Sequence, residues 1–168
     1  GGSRNGNSGG NWKNKKPFGK LNCTILEEVI NSDKAVIGTH QILTHPGKVL
    51  FDTGATTSFI SQQFIIKHGI SCTKLETPIT ILSAGGTIVV THTKQKQVIM
   101  INKCAFDADL FILPMKDIDV ILGMNWLEAN GALIDCVNKT VSLKSPDGSR
   151  MIYQGDKHTQ IEVELQLN

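Results

Sequence analysis

The chain of 168 residues is long enough for one sizeable hydrophobic core. Its 40% hydrophobic and 19% charged residues are ordinary for a soluble globular domain. No stretch reaches the roughly 18 consecutive apolar residues of a membrane span. The four cysteines lie far apart without a CxxC pair, which argues against a structural zinc site. Since the N-terminus also lacks the apolar segment of a secretory signal, we expect a cytoplasmic protein without membrane contact.

The net charge of +2 is distributed unevenly along the chain. Residues 1–22 contain five of the 17 basic residues and no acidic residue, which leaves 12 basic and 15 acidic residues elsewhere. This arm is also rich in Gly, Asn and Ser, so it is predicted to be a disordered basic linker. Because it carries Trp12 and Phe18, the arm could contact RNA weakly through phosphates and base stacking. A solvated linker is the alternative that its composition favours.

Short strand patterns separated by turn signals begin at about residue 35. Residues 35–43 and 48–51 are predicted to be strands around a turn at 44–47. Ser61 is predicted to cap a short helix that Gly69 ends.

The strand pattern continues through the middle of the chain. Two β-rich arms within residues 77–93 flank Ala84, Gly85 and Gly86, which is the pattern of a hairpin. Two further strands are predicted at residues 97–101 and 109–113.

The C-terminal part repeats this alternation of strands and turns. A buried strand at residues 120–122 leads through Gly123 into a helix that ends at Gly131, and a hairpin is predicted around the turn 146–148. Residues 161–167 alternate strictly between apolar and polar. Many short strands with two short helices predict an all-β barrel or sandwich.

The stretch "KVLFDTGATTSFIS", residues 48–61, places Asp52 at the end of an apolar strand. A carboxylate there is costly unless something satisfies it. The strand would fix the carboxylate, and Gly54 would let backbone N–H groups approach it. No His or acid lies within several residues to complete a metal site, so proton transfer is the favoured chemistry. The tripeptide is also ordinary turn chemistry, which leaves a buried Asx-turn Asp as the alternative.

The order of motifs resembles that of the retropepsins, the aspartic proteases of retroviruses and long-terminal-repeat retrotransposons. Asp-Thr-Gly is followed about 30 residues later by a Gly-tipped hairpin and about 70 residues later by an apolar-apolar-Gly run before a helix. "VLFDTGATTSFIS", "MKDIDVILGMNWLEANGALIDC" and "SPDGSRMIYQGD" are together similar to the protease segment of plant Ty3/gypsy Gag-Pol polyproteins. The resemblance covers about residues 21–156.

The resemblance implies a closed β-barrel with a flap hairpin and two short helices, active as a homodimer. The domain would span residues 23–156, followed by an extension, 157–168, that contains the alternating strand. Asp52 would be the catalytic carboxylate, Thr53 would hydrogen-bond across the dimer axis, and Gly54 would donate an N–H toward the carboxylates. Substrate contacts would come from the loop, the flap and the layer beneath them, at Ala55, Thr56, Ala84, Gly85, Gly86 and Ile121.

Two positions depart from the retroviral pattern. Thr56 stands where retroviral members usually have Asp, and Met124 stands where they have Arg. Those retroviral residues form a salt bridge, so their joint absence leaves no unpaired half of a buried ion pair.

Only one Asp-Thr-Gly is present, whereas acid–base chemistry generally uses two groups with separated pKa values. A homodimer that places Asp52 of each subunit on its two-fold axis is the economical solution. The resemblance therefore implies a cofactor-free, metal-free aspartic endopeptidase that cleaves a Gag-Pol polypeptide in the cytoplasm, within a virus-like particle. The alternatives are a catalytically silent dimerisation module and a nucleic-acid-binding Gag fragment.

Overall fold

The computed structural model describes residues 19–21, 35–83 and 86–156. Within these ranges the chain forms eleven strands and two short helices. The strands are β1 (Gly19–Leu21), β2 (Ala35–Ile42), β3 (His45–Asp52), β4 (Phe59–Ser61), β5 (Thr73–Ser83), β6 (Gly86–Ile101), β7 (Cys104–Leu113), β8 (Val120–Leu122), β9 (Leu133–Asp135), β10 (Thr140–Lys144) and β11 (Arg150–Gln154). The helices are α1 (Gln62–His68) and α2 (Met124–Ala129).

Eight of these strands form one sheet in the order β1-β5-β6-β2-β3-β8-β4-β7. β6 also pairs with β7, so the pairings run in a cycle through β6, β2, β3, β8, β4 and β7. Closure of a sheet into a barrel requires such a cycle. β11, β10 and β9 form a separate antiparallel sheet. The predicted mostly-β class is confirmed.

The turn between β2 and β3 is shorter than predicted. Leu43 and Thr44 form it alone, and Leu43 has a φ of 56°. The turn predicted at 44–47 is wrong because Pro46 and Gly47 pair within β3 opposite Gln41 and His40. A Cβ at Gly47 would collide with the Ile42 side chain, so this glycine serves a close approach within the sheet.

β6 continues through a polar stretch that was predicted to separate two strands. Its register against β7 shifts between Lys94 and Gln97, and Lys96 has a φ of 50°. The Lys96 N–H donates to Asp109 Oδ1 at 2.9 Å. The bulge absorbs the extra polar residues without ending the strand, so the separate strand predicted at 97–101 is the last part of β6.

The two helices follow the predicted capping signals with small differences. Ser61 Oγ accepts a hydrogen bond from Phe64 N at 3.4 Å, and Gly69 ends α1 in the left-handed conformation. Helix α2 reaches Ala129 and is capped by Asn130, one residue before the predicted end at Gly131. The predicted C-terminal hairpin is confirmed as β10 and β11.

Strand β1 lies inside the segment predicted to be a disordered linker. It pairs in parallel with β5, with Gly19 opposite Ile81 and Leu21 opposite Ser83. This pairing depends on a distant strand edge that composition does not reveal, and the linker over residues 1–22 stays a prediction. The rest of the linker, the flap residues Ala84 and Gly85, and the extension 157–168 lie outside the described residues.

The core consists of two clusters of buried side chains. The larger one contains Phe51, Ile60 and Trp126 and extends to Val141 and Leu143 of the small sheet. The second cluster joins the β5–β6 hairpin to the segment after β3, and its buried members are Ala35, Ile37, Leu50, Ala55, Phe59, Ile81, Val90, Leu113, Ile118 and Ile121.

Among the described histidines, only His40 is buried. Its side chain is 5% exposed, and its Nε2 has no hydrogen-bond partner. The ring lies edge-on against Tyr153 and Phe51, with centroids 4.3 and 5.7 Å away. Burial lowers the pKa of His40 from 6.5 to about 4, because the protonated ring would lose its hydration.

Acidification should therefore destabilise the fold through His40. The His40 ring takes up a proton near pH 6.5 in the unfolded chain, but only near pH 4 in the folded chain. Above pH 6.5 His40 does not reduce the free energy of unfolding. As the pH drops to about 4, this free energy falls by up to about 3 kcal/mol. Urea unfolding at pH 7 and pH 4.5 should show a smaller loss for His40→Phe than for the wild type.

His92 provides the matched control, because it lies on β6 with an accessible ring bonded to Thr91. At pH 7, His92→Gln should leave the free energy of unfolding within about 0.5 kcal/mol of the wild-type value. An equal loss of stability in His40→Phe and the wild type would show that His40 is not the titrating group.

Candidate active site

Asp52 is the last residue of β3, which lies between β2 and β8. It is paired with Ala35 of β2, and the preceding Phe51 is paired with Leu122 of β8. Phe51 and Leu122 are both fully buried. Asp52 is therefore held against β2, and the residue before it is held against β8.

The Asp52-Thr53-Gly54 turn binds the carboxylate with its own backbone. Gly54 N donates to Asp52 Oδ1 at 2.7 Å, which is the donor that the resemblance assigns to Gly54. Asp52 is 0% exposed in the single protomer, whereas Thr53 is exposed and Gly54 half-buried. The same hydrogen bond defines an Asx-turn, so it fits a catalytic and a structural carboxylate equally.

The segment after the turn is fastened to the start of α2. Gly123 N donates to Ser58 Oγ at 3.0 Å, and Ser58 Oγ donates to Asn125 Oδ1 at 2.8 Å. Met124 N donates to Ala55 O at 2.8 Å. These hydrogen bonds hold the active-site loop, residues 52–58, against the segment that joins β8 to α2.

Ser58 was not identified from the sequence, although it joins both sides of this bracing. It is 1% exposed and accepts and donates at once. A buried serine six residues after the carboxylate carries no local signal, because both of its partners lie more than 60 residues away in the chain.

The predicted substrate contacts lie in different environments. Ala55 and Ile121 are 0% and 6% exposed and pack in the second core cluster, beneath the loop. Thr56 is exposed on the loop. A contact of Ala55, Thr56 or Ile121 with substrate stays a prediction, and in the protomer Ala55 and Ile121 support the loop.

The β5–β6 hairpin carries the predicted flap. Ser83 pairs with Gly86, and Ser83 Oγ donates to Gly86 O at 2.8 Å. Gly86 has a φ of 125°, which favours glycine at the hairpin end. Exposed apolar side chains lie near the tip, with Val89 65% exposed. The hairpin also packs with the active-site loop through the fully buried Ile81 of β5.

The other acidic residues in apolar contexts have structural partners. Asp119 Oδ2 accepts from Lys48 N at 2.8 Å, and Asp119 O accepts from Ser61 N, so Asp119 joins β3 to β4. Hydrogen bonds from the backbone and side chain of Asn138 lower the pKa of Asp135 at the end of β9. Neither carboxylate shares the setting of Asp52.

Metal binding and membrane insertion can be examined over the same ranges. Within the part of the chain that the structure describes, no group of three or more His, Cys, Asp or Glu side chains could hold a metal ion. Of the described helices, none is long and apolar enough to cross a membrane.

Comparisons with known proteins identify a family model and solved structures that are similar to this chain. A family model described as retroviral aspartyl protease matches residues 18–149. The fold is similar to the crystal structure of the retroviral protease-like domain of Ddi1 from Leishmania major, with a TM-score of 0.53 and 10% sequence identity. The match covers 75% of this chain and 98% of that chain. No curated protein matches the sequence.

Proposed function

The chain belongs to the retroviral aspartyl protease family, and from this we propose that it is an aspartic endopeptidase whose active site contains Asp52 from two subunits. One observation carries the proposal. The carboxylate of Asp52 is fully buried at the end of a sheet-bound strand and accepts a hydrogen bond from Gly54 N at 2.7 Å. The Asp-Thr-Gly turn, which the chain shares with the family pattern, thus holds an acid in an apolar environment, where catalytic carboxylates are common.

A homodimer supplies the second carboxylate. Asp119 and Asp135 are bound in structural contacts, so a second acid within the described protomer is not in a comparable position. Thr53 is exposed beside the buried Asp52, which is the place where a contact across a two-fold axis would form. An isologous dimer about that axis would bring two Asp52 side chains together.

The chemistry follows from two like charges at short distance. They cannot both ionise, so the pair shares one proton, as is established for aspartic protease dyads. The ionised Asp52 takes a proton from water, which attacks the scissile carbonyl. The protonated Asp52 polarises that carbonyl and later protonates the leaving amine. The flap would close over the peptide and exclude bulk water.

The proposal extends to the closure of the sheet, the parent polyprotein and the substrate. We propose that the cycle of paired strands is a closed barrel, and that the segment derives from a plant Ty3/gypsy Gag-Pol polyprotein. Its substrate would be that polyprotein, cleaved inside a cytoplasmic virus-like particle. Residues 1–22 would add at most a weak RNA contact.

Cleavage of a peptide library by the purified full chain tests the function. We expect endoproteolytic cleavage at pH 4–7 with a bell-shaped pH dependence, because one Asp52 must be protonated and the other ionised. A peptide with a hydroxyl-bearing, non-cleavable isostere should inhibit, since it mimics the tetrahedral intermediate. A rate that rises steadily from pH 5 to pH 9 would indicate another catalytic base.

A silent dimerisation module is the second candidate. The complete burial of Asp52 and its Asx-turn hydrogen bond are also what a structural aspartate requires. The isostere peptide separates the two functions. Binding that raises the melting temperature supports the enzyme, whereas a dimer that neither binds the peptide nor cleaves supports the module.

A further inference from the structure

The flap has a third strand on its outer edge. One edge of β5 pairs with β6, and the other edge pairs in parallel with β1. The β5 residues opposite β1 are Ile81, Leu82 and Ser83, the last three before the hairpin tip. Residues Gly19–Leu21 therefore lie along the moving part of the predicted site.

A strand edge of this kind is a docking surface for extended peptides. Its N–H and C=O groups accept any backbone in the β conformation, and side-chain pockets then add selectivity. β1 is only three residues long and pairs with no strand except β5 among the described elements. Few hydrogen bonds hold it, so another extended segment could replace it.

Strand β5 connects the docked strand with the active-site loop. Ile81, opposite Gly19, is fully buried and packs in the cluster that contains Ala55 and Leu50. Leu50 and Ala55 flank Asp52 in the chain, and Asp52 is itself 0% exposed in the single protomer. In the structure, β1 thus occupies the β5 edge next to the hairpin tip.

We propose that residues Gly19–Leu21 are a tethered competitor of the peptide substrate. They occupy the β5 edge along which a substrate strand would extend, and their release opens the site. This inference rests on the proposed protease function and adds its regulation. Because the segment belongs to the same chain, its effective concentration is of order millimolar, well above a micromolar substrate.

A tethered competitor raises the KM and leaves the kcat unchanged. Proline lacks the N–H of a strand residue, so Lys20→Pro or Leu21→Pro should weaken the docking of β1. Loss of one or two backbone hydrogen bonds, at ~1 kcal/mol each, makes docking about 5- to 30-fold weaker. In the full chain we expect the KM to fall toward the value of an open site, with the kcat within twofold.

The matched control is Ser8→Pro, in the same arm but outside β1. It should retain the wild-type KM. A synthetic peptide of residues 15–22, "KKPFGKLN", should inhibit Leu21→Pro competitively. Equal KM values for the wild type and both β1 variants would overturn the inference while leaving the protease function intact.

Amide hydrogen exchange gives a readout that does not need activity. Lys20→Pro and Leu21→Pro should accelerate exchange at residues 81–83, and Ser8→Pro should not. If neither the wild type nor any variant cleaves peptides, the proposed function fails. Hydrogen exchange still shows whether β1 docks on the β5 edge. Unchanged exchange at residues 81–83 in both β1 variants would overturn it.

Discussion

Asp52→Asn should lower kcat/KM for peptide cleavage by at least about 10³-fold, with little change in the melting temperature. The variant removes both carboxylates of the dyad, which are the groups that take and give protons. General acid–base catalysis alone contributes a rate factor of this size. Asn keeps an acceptor oxygen for the Gly54 N–H that now bonds to Asp52 Oδ1. The fold should therefore persist without the chemistry.

Asp119→Asn is the matched control for this experiment. Its carboxylate also lies at a strand boundary, but it accepts a backbone hydrogen bond from Lys48 and has no catalytic role in the proposal. The control should retain cleavage and lose only stability. Wild-type cleavage by Asp52→Asn, with mass spectrometry excluding deamidation back to Asp, would remove Asp52 from the mechanism.

Gly123→Ala should produce the largest loss of stability, about 3 kcal/mol, together with loss of activity. A Cβ at Gly123 would collide with the carbonyl oxygen of Thr57 and lie 2.8 Å from Ala55 O. These are backbone atoms of the active-site loop, so rotation of a side chain cannot relieve the contact. The backbone at Gly123 is extended, with a φ of −89°, so the requirement is for space.

Gly131→Ala tests whether this cost is specific. Gly131 follows the same helix, but a Cβ there would meet nothing nearer than 3.5 Å. Its φ of 57° should cost about 1 kcal/mol for a non-glycine residue. Gly123→Ala should have a clearly lower free energy of unfolding in urea, and a lower rate of peptide cleavage, than Gly131→Ala. Similar stabilities would mean that the loop can shift away from Gly123.

Activity and stability should have opposite responses to acid. The shared proton of two Asp52 side chains requires mildly acidic conditions. In contrast, burial of His40 lowers the free energy of unfolding as the pH falls from 6.5 toward 4. The His40→Phe variant should therefore remain folded at a pH where the wild type begins to unfold. The lower limb of the activity profile has to be measured within the range in which the protein is folded.

Features with local causes could be predicted from the sequence. The apolar run before Asp52 predicted a buried strand, and Ser61 and Gly69 predicted both ends of α1. Asp-Thr-Gly and the order of the later motifs pointed to the family that the comparisons show. Each of these signals comes from residues that are neighbours in the chain.

Features with distant causes could not be predicted. Pro46 and Gly47 are typical turn residues, but their place in β3 is set by pairing with β2 and by contact with Ile42. Ser58 bonds to Gly123 and Asn125 across more than 60 residues. Among the described strands, β1 pairs only with the edge of β5. Pairing register and bridging hydrogen bonds are properties of the folded chain.

In the proposed dimer two copies of Asp52 form one site, which can be tested by mixing wild-type and variant subunits. The wild type and Asp52→Asn are denatured together, refolded and assayed at constant total protein. Random pairing of equal amounts leaves about a quarter of the dimers with two Asp52 carboxylates, so activity should fall to about a quarter of the all-wild-type value. Activity of one half, falling linearly with the wild-type fraction, would show that Asp52 works alone in each protomer.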